Sequence, residues 1–128
     1  MAEGDALLAE MPGSERTELS GMTVDAGRAG DARVRRIVYP PGFRWSADVQ
    51  PVVGGDVCEH AHVGFLAQGR LSGRYEDGCA FEFTAPQVVA IEPGHDAWVG
   101  DDEPAVLIEV DFERDTVERL GMAVRHAH

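Results

Sequence analysis

A chain of 128 residues with 44% apolar and 27% charged side chains suits one globular domain with a genuine core, not two. Its 11 basic against 23 acidic side chains give a formal charge of −12, which repels phosphate backbones and anionic lipid and argues against nucleic-acid and membrane partners. Two cysteines make no disulfide framework, no apolar run approaches the ~20 residues of a spanning helix, and Met1 to Glu10 carries three acids instead of a basic leader, so a cytoplasmic protein with reduced thiols is expected.

Residues 1–32 are poor in large apolar side chains and predict an irregular arm, laid along the domain or a partner subunit. Ala6 to Met11 offers one or two helical turns before Pro12-Gly13 breaks them. From Arg33 the texture changes. Arg33 to Tyr39 predicts a strand that Pro40-Pro41-Gly42 ends. Phe43-Arg44-Trp45-Ser46 is a second short piece whose aromatics cover one end of the core, and Gln50 to Gly55 is a loop. A strand from about Val57 to Gln68 follows. Gly69 turns the chain into Arg70 to Tyr75, and Glu76-Asp77-Gly78 marks a tight turn. Cys79 to Thr84 alternates, with Cys79, Phe81 and Phe83 on one face. Val88 to Ile91, Ala97 to Val99 and Ala105 to Asp111 are the remaining strands. Val117, Leu120 and Val124 then recur at helical spacing, with acids early and arginines late, which predicts a short amphipathic helix. About eight short strands and one C-terminal helix mean an all-β antiparallel sandwich or barrel. The chain divides into an arm (1–32), a barrel (33–112) and a C-terminal helix with tail (113–128).

The chemistry concentrates in Asp56 to His62. Alternation along an extended strand places Asp56, Cys58, His60 and His62 on one face. Imidazole and carboxylate suit Zn, Fe, Mn, Ni or Cu, and a Cys thiolate tilts the choice toward Zn or Cu. Gly64, two residues on, would leave space for a ligand. The bland alternatives stay open: Cys58 as an inert buried thiol, Cys79 as core beside Phe81 and Phe83, and Trp45 and Trp98 as barrel plugs. Arg44, Arg70 and Arg74 are positive groups that could orient an anionic substrate, with a solvated role favoured. His126 and His128 fall in a fraying tail.

Gly54 to Gly69, followed by Glu92-Pro93-Gly94-His95, resembles the two conserved motifs of the cupin superfamily, Gly-x5-His-x-His-x3-4-Glu-x6-Gly and Gly-x5-Pro-x-Gly-x2-His-x3-Asn. The segment Gly94-His95-Asp96-Ala97-Trp98 is similar to one found in small single-domain bacterial cupins, and the likeness covers Tyr39 to Phe112. Anchored on Gly54, the His-x-His pair is His60 and His62, and Leu66 and Ala67 stand where the metal-binding Glu belongs. Anchored on Gly69, His62 takes the Glu position, Cys58 the second His and Asp56 the first, which keeps the strand and following turn intact. In the second motif Ala97 holds the His position, with His95 two residues earlier, and Gln87 replaces the usual Asp. The resemblance implies a jelly-roll β-barrel, also favoured by the turn spacing, and the residues themselves offer candidate ligands for a divalent transition metal inside it: at least two of His60, His62 and His95, with Cys58 and Asp56 as further candidates. It further implies a small organic molecule in the barrel and a homodimer. Cupins span enzymes and non-catalytic binders. The expectation is therefore a metal-binding cupin; if it is an enzyme, Glu59 or Asp96 is the nearest candidate general base. The alternative is a metal-free ligand-binding or sensor protein.

Overall fold

A computed structural model describes residues 7–55, 58 and 60–123. Among these, nine strands form two facing antiparallel sheets. The larger has the order β1 (Glu15–Leu19), β2 (Met22–Ala29), β3 (Ala32–Tyr39), β9 (Ala105–Asp111), β4 (His62–Gln68) and β7 (Gln87–Ile91). The smaller has β6 (Ala80–Thr84), β5 (Arg70–Tyr75) and β8 (His95–Val99). Single helical turns cover α1 (Trp45–Asp48), α2 (Gln50–Val53) and α3 (Thr116–Arg119). Two packed sheets between which the chain crosses repeatedly, from β4 to β5 and at every step from β6 to β9, are the jelly-roll arrangement expected from the turn spacing. No helix among the described residues is long and apolar enough to cross a membrane.

The core lies between the sheets, where alternate residues of each strand point inward. Leu66, Val89, Ile91 and Leu107 from the large sheet and Leu71 and Val99 from the small one are each at most 5% exposed. Phe43 and Trp45 belong to this core, and the short piece that carries them is a helical turn from Trp45. Gln50 to Val53 likewise coils into a turn where a loop was expected.

The expected irregular arm is corrected most. Ser20 (φ 49°) and Gly21 (φ 82°) both take positive φ between the register partners Leu19 and Met22. That is the geometry of a two-residue hairpin turn whose twist matches its strands, so residues 15–29 form β1 and β2 and extend the large sheet. Their scarcity of apolar side chains misleads because part of this hairpin is buried through charge. Asp25, 1% exposed, accepts from Arg16 Nε at 2.7 Å and Arg36 Nη2 at 2.6 Å, and from the Met11 amide at 3.1 Å. Residues 7–11 form no helix; they cross this patch, where Ala9 O accepts from Arg36 and Leu8 O from Arg16.

The C-terminal helix shrinks to α3, entered through Asp115 in a left-handed conformation (φ 61°). Val124, His126 and His128 lie outside the described residues.

Candidate metal centre

The stretch read as one long strand divides in two. β4 begins at His62, and Cys58 is held by a different neighbour: its amide donates to His95 O at 2.6 Å, and its carbonyl accepts from Gly94 N at 2.7 Å and His95 N at 3.2 Å. This isolated bridge continues the small sheet beyond β8. Cys58, His60 and His62 therefore do not share one strand face, and strand alternation alone does not set their grouping. Asp56 and Glu59 lie outside the described residues.

Two groups of donors result. In the first, ligand atoms of Cys58, His62 and His95 lie within 4.8 Å of one another. His62 comes from the start of β4 and His95 from the start of β8, and their ring centroids are 5.2 Å apart. Both rings are fixed in the same way. His62 Nδ1 lies 2.6 Å from Glu109 Oε2, and His95 Nδ1 lies 2.8 Å from the Glu92 carbonyl oxygen. A carbonyl only accepts, so His95 Nδ1 carries the proton and donates; a carboxylate imposes the same on His62. Each Nε2 is then the nitrogen left to face Cys58, the arrangement in which a second partner orients a metal-binding imidazole.

The second group, His60, His62 and Glu109, is also compact, but a cation already sits in it. Arg35 Nη1 donates to His60 Nε2 at 2.7 Å and to Glu109 Oε1 at 2.8 Å. His60 has spent its nitrogen lone pair on that guanidinium, and an ion there would have to displace Arg35. Asp111 extends the network, 3.5 Å from Arg35 and paired through both oxygens with Arg33 at 2.7 and 2.8 Å.

Charge in the first group follows from these contacts. Burial opposes ionisation of Cys58, but hydrogen bonding to His62 and His95 overcomes it and holds the thiol at about 5. Burial likewise opposes a charge on His62, yet the Glu109 carboxylate and the Cys58 sulfur raise it to about 10. Glu109 is itself desolvated and still pulled well below the usual carboxylate range, chiefly by His62, with His60 and Arg35 adding. Without a metal this is a thiolate and an imidazolium backed by a carboxylate.

Several expected roles change. A Cβ on Gly64 would lie 1.9 Å from Ile108 O and 2.6 Å from Glu109 Cα. This glycine makes room for the β9 backbone, not for a ligand. His95, Ala97 and Val99 point inward along β8, so Asp96 and Trp98 face outward. Asp96 accepts from the Ser46 and Ala97 amides, away from the donor cluster, and is no base for it. Trp98 is not a barrel plug: it stacks beneath Arg44, 4.4 Å from the guanidinium. Arg70 and Arg74 are exposed on the same outer face. Cys79 packs against the core. Leu66, at the position of the missing Glu, is a fully buried core residue.

Sequence reasoning missed Glu109 and Arg35. A signal was present: Glu109 and Asp111 are both in phase with Leu107 in β9, and Arg35 is in phase with Ile37 in β3.

No protein-family model matches the chain, and no curated protein does. Solved structures do. A Cupin 2 conserved barrel domain protein from Salinispora arenicola superposes with a TM-score of 0.53 at 17% identity, over 81% of this chain and 88% of that one. The cupin domain of Cnp3 from Schizosaccharomyces pombe gives 0.50 at 12% identity, over 83% and 71%. The fold is that of a cupin barrel. Within it, the described donors depart from the three-His, one-Glu pattern, with a cysteine beside two histidines and the carboxylate relayed behind one of them.

Proposed function

We propose that the protein is a small metal-binding cupin that holds a divalent transition metal through Cys58, His62 and His95 and a small organic molecule in the barrel beside it. The observation that carries this reading is the anchoring of both Nδ1 atoms, by Glu109 and by the Glu92 carbonyl, which turns both Nε2 atoms toward one sulfur. One thiolate and two imidazoles favour Zn or Cu over the harder ions and would leave a fourth position for water or a substrate oxygen. When bound, the ion would supply Lewis acidity there. The reading includes a homodimer: Phe65 and Val88, register partners on the outer face of β4 and β7, are 43% and 80% exposed, an apolar pair that a second copy would cover.

The test is the metal content of wild type and His62→Ala after exposure to Zn, Cu, Fe, Mn and Ni. One equivalent in the wild type, lost in the variant, supports the reading. No stoichiometric metal in the wild type favours the metal-free alternative, in which the same barrel holds a ligand without an ion.

A further inference from the structure

The donor group that Arg35 fills differs in kind from the one around Cys58. Arg35 Nη1 lies 2.7 Å from His60 Nε2, 2.8 Å from Glu109 Oε1 and 3.5 Å from Asp111 Oδ2. Those three atoms also converge on one another, with His60 Nε2 3.4 Å from Glu109 Oε1 and 3.5 Å from Asp111 Oδ2. A guanidinium N–H only donates, so the His60 nitrogen facing it presents a lone pair, the one a metal would take. Both acids are buried, but His60 and Asp111 also line an open surface pocket with Phe112 and Thr116, which gives the group a path to solvent.

The two groups sort metals differently. His60, His62 and Glu109 offer two imidazoles and a carboxylate, a donor set that suits Fe(II) and, through its oxygens, Mn(II). A thiolate with two imidazoles suits Zn or Cu instead. Both groups draw on His62, so an ion in one competes with an ion in the other.

Arg35 is placed to decide between them. It is the register partner of Glu109, so the β3–β9 ladder itself delivers the guanidinium to the carboxylate. Arginine does not deprotonate in a protein, so it cannot vacate the group by losing a proton as a lysine or histidine could. Arg33 meanwhile takes both oxygens of Asp111, leaving Arg35 as the guanidinium that answers Glu109.

We propose that Arg35 is the metal-selectivity residue of this barrel: it shuts the group of His60, His62 and Glu109 to Mn(II) and Fe(II), leaving ions only Cys58, His62 and His95. Where ions go instead rests on the metal-binding reading; the exclusion by Arg35 does not.

The test is titration of Mn(II), followed by electron paramagnetic resonance, into wild type, Arg35→Met, Arg35→Met with His60→Ala, and Arg35→Met with Cys58→Ser. Zinc content and melting temperature are measured on the same proteins. Methionine keeps part of the arginine stem and removes its charge and donors. Arg35→Met is expected to bind one Mn(II) more tightly than wild type by about tenfold or more, and Mn(II) should raise its melting temperature but not that of wild type. Adding His60→Ala should abolish the gain, and adding Cys58→Ser should leave it. An Mn(II) affinity equal in wild type and Arg35→Met overturns the proposal, as does a gain that survives His60→Ala or is lost with Cys58→Ser. If Arg35→Met is obtained only unfolded, its refolding is followed by circular dichroism: recovery with Mn(II) and not with chelator supports the proposal, and recovery with neither overturns it. An Mn(II)-binding variant beside a wild type that takes up no zinc sustains the exclusion by Arg35 while defeating the metal-binding reading. A zinc-binding wild type whose Arg35→Met variant refuses Mn(II) defeats the selectivity role alone.

Discussion

His62 Nδ1 and Glu109 Oε2 lie 2.6 Å apart with both side chains buried, and the other Glu109 oxygen receives Arg35 at 2.8 Å. One carboxylate thus orients an imidazole on one side and neutralises a guanidinium on the other. Glu109→Gln keeps the shape but removes the charge and offers an amide that can face only one of these partners as an acceptor. Zinc affinity is expected to fall by about 10–100-fold, the usual cost of losing the group behind a metal-bound histidine. Competition with a chromogenic chelator measures it, and an unchanged affinity would remove Glu109 from the site.

The protonation of the cluster predicts what metal binding releases. His62, held at about 10, is protonated at pH 8, while Cys58, at about 5, is already a thiolate. A metal taking His62 Nε2 must expel that proton, and the sulfur has none to give. Titrating zinc at pH 8 in two buffers of different ionisation enthalpy should therefore show close to one proton released per ion. A value near zero would mean that His62 is not a ligand.

Asp25 gives the acid limb of stability. The hydrogen-bonded Arg16 guanidinium lowers its pKa against the opposing effect of burial, helped by the Met11 amide and Arg36. A depressed carboxylate contributes stability that is complete above the unfolded value of about 3.9 and is lost as pH falls through the lower folded value. Urea midpoints of wild type and Asp25→Asn should differ by a constant amount from pH 8 to 5 and converge below about pH 4. Parallel curves down to pH 2 would show that the Asp25 charge is irrelevant.

Gly64 tests the packing of the two strands that carry the site. An added methyl group would meet the Ile108 carbonyl and Glu109 Cα at distances no real contact adopts. Backbone cannot yield as a flexible side chain does, so Gly64→Ala should destabilise by about 3 kcal/mol or more, read from chemical denaturation. It should also weaken zinc, because Glu109 moves away from His62. A variant of wild-type stability would mean that β4 and β9 are not in this register.

Much of the barrel was legible because its turns are chemically explicit. Asp77-Gly78 between Tyr75 and Ala80 announces a hairpin, and Leu71, Phe81, Phe83 and Val99 alternate as a half-buried sheet requires. The β1–β2 hairpin was not legible: its turn is Ser20-Gly21, and its buried position is filled by Asp25 under two arginines instead of a hydrocarbon. At the site, the residue types were visible but their partition was not. His60 and His62 are neighbours in sequence and ring contacts at 4.9 Å, yet one faces Arg35 and the other Cys58. That choice is made by β3 and β8, whose contacts no local pattern records. Glu109 was overlooked because the run from Ala105 to Ile108 reads as core, and the buried acids Glu109 and Asp111 that follow in phase with Leu107 pass for the solvated end of the strand.

Arg35 occupies its pocket much as a bound cation would, but it is tethered to β3 and arrives with the polypeptide. The buried acids Glu109 and Asp111 therefore have positive counterparts before any ion is encountered. A barrel built this way has its buried acids neutralised by its own chain, so closing it does not wait on an ion.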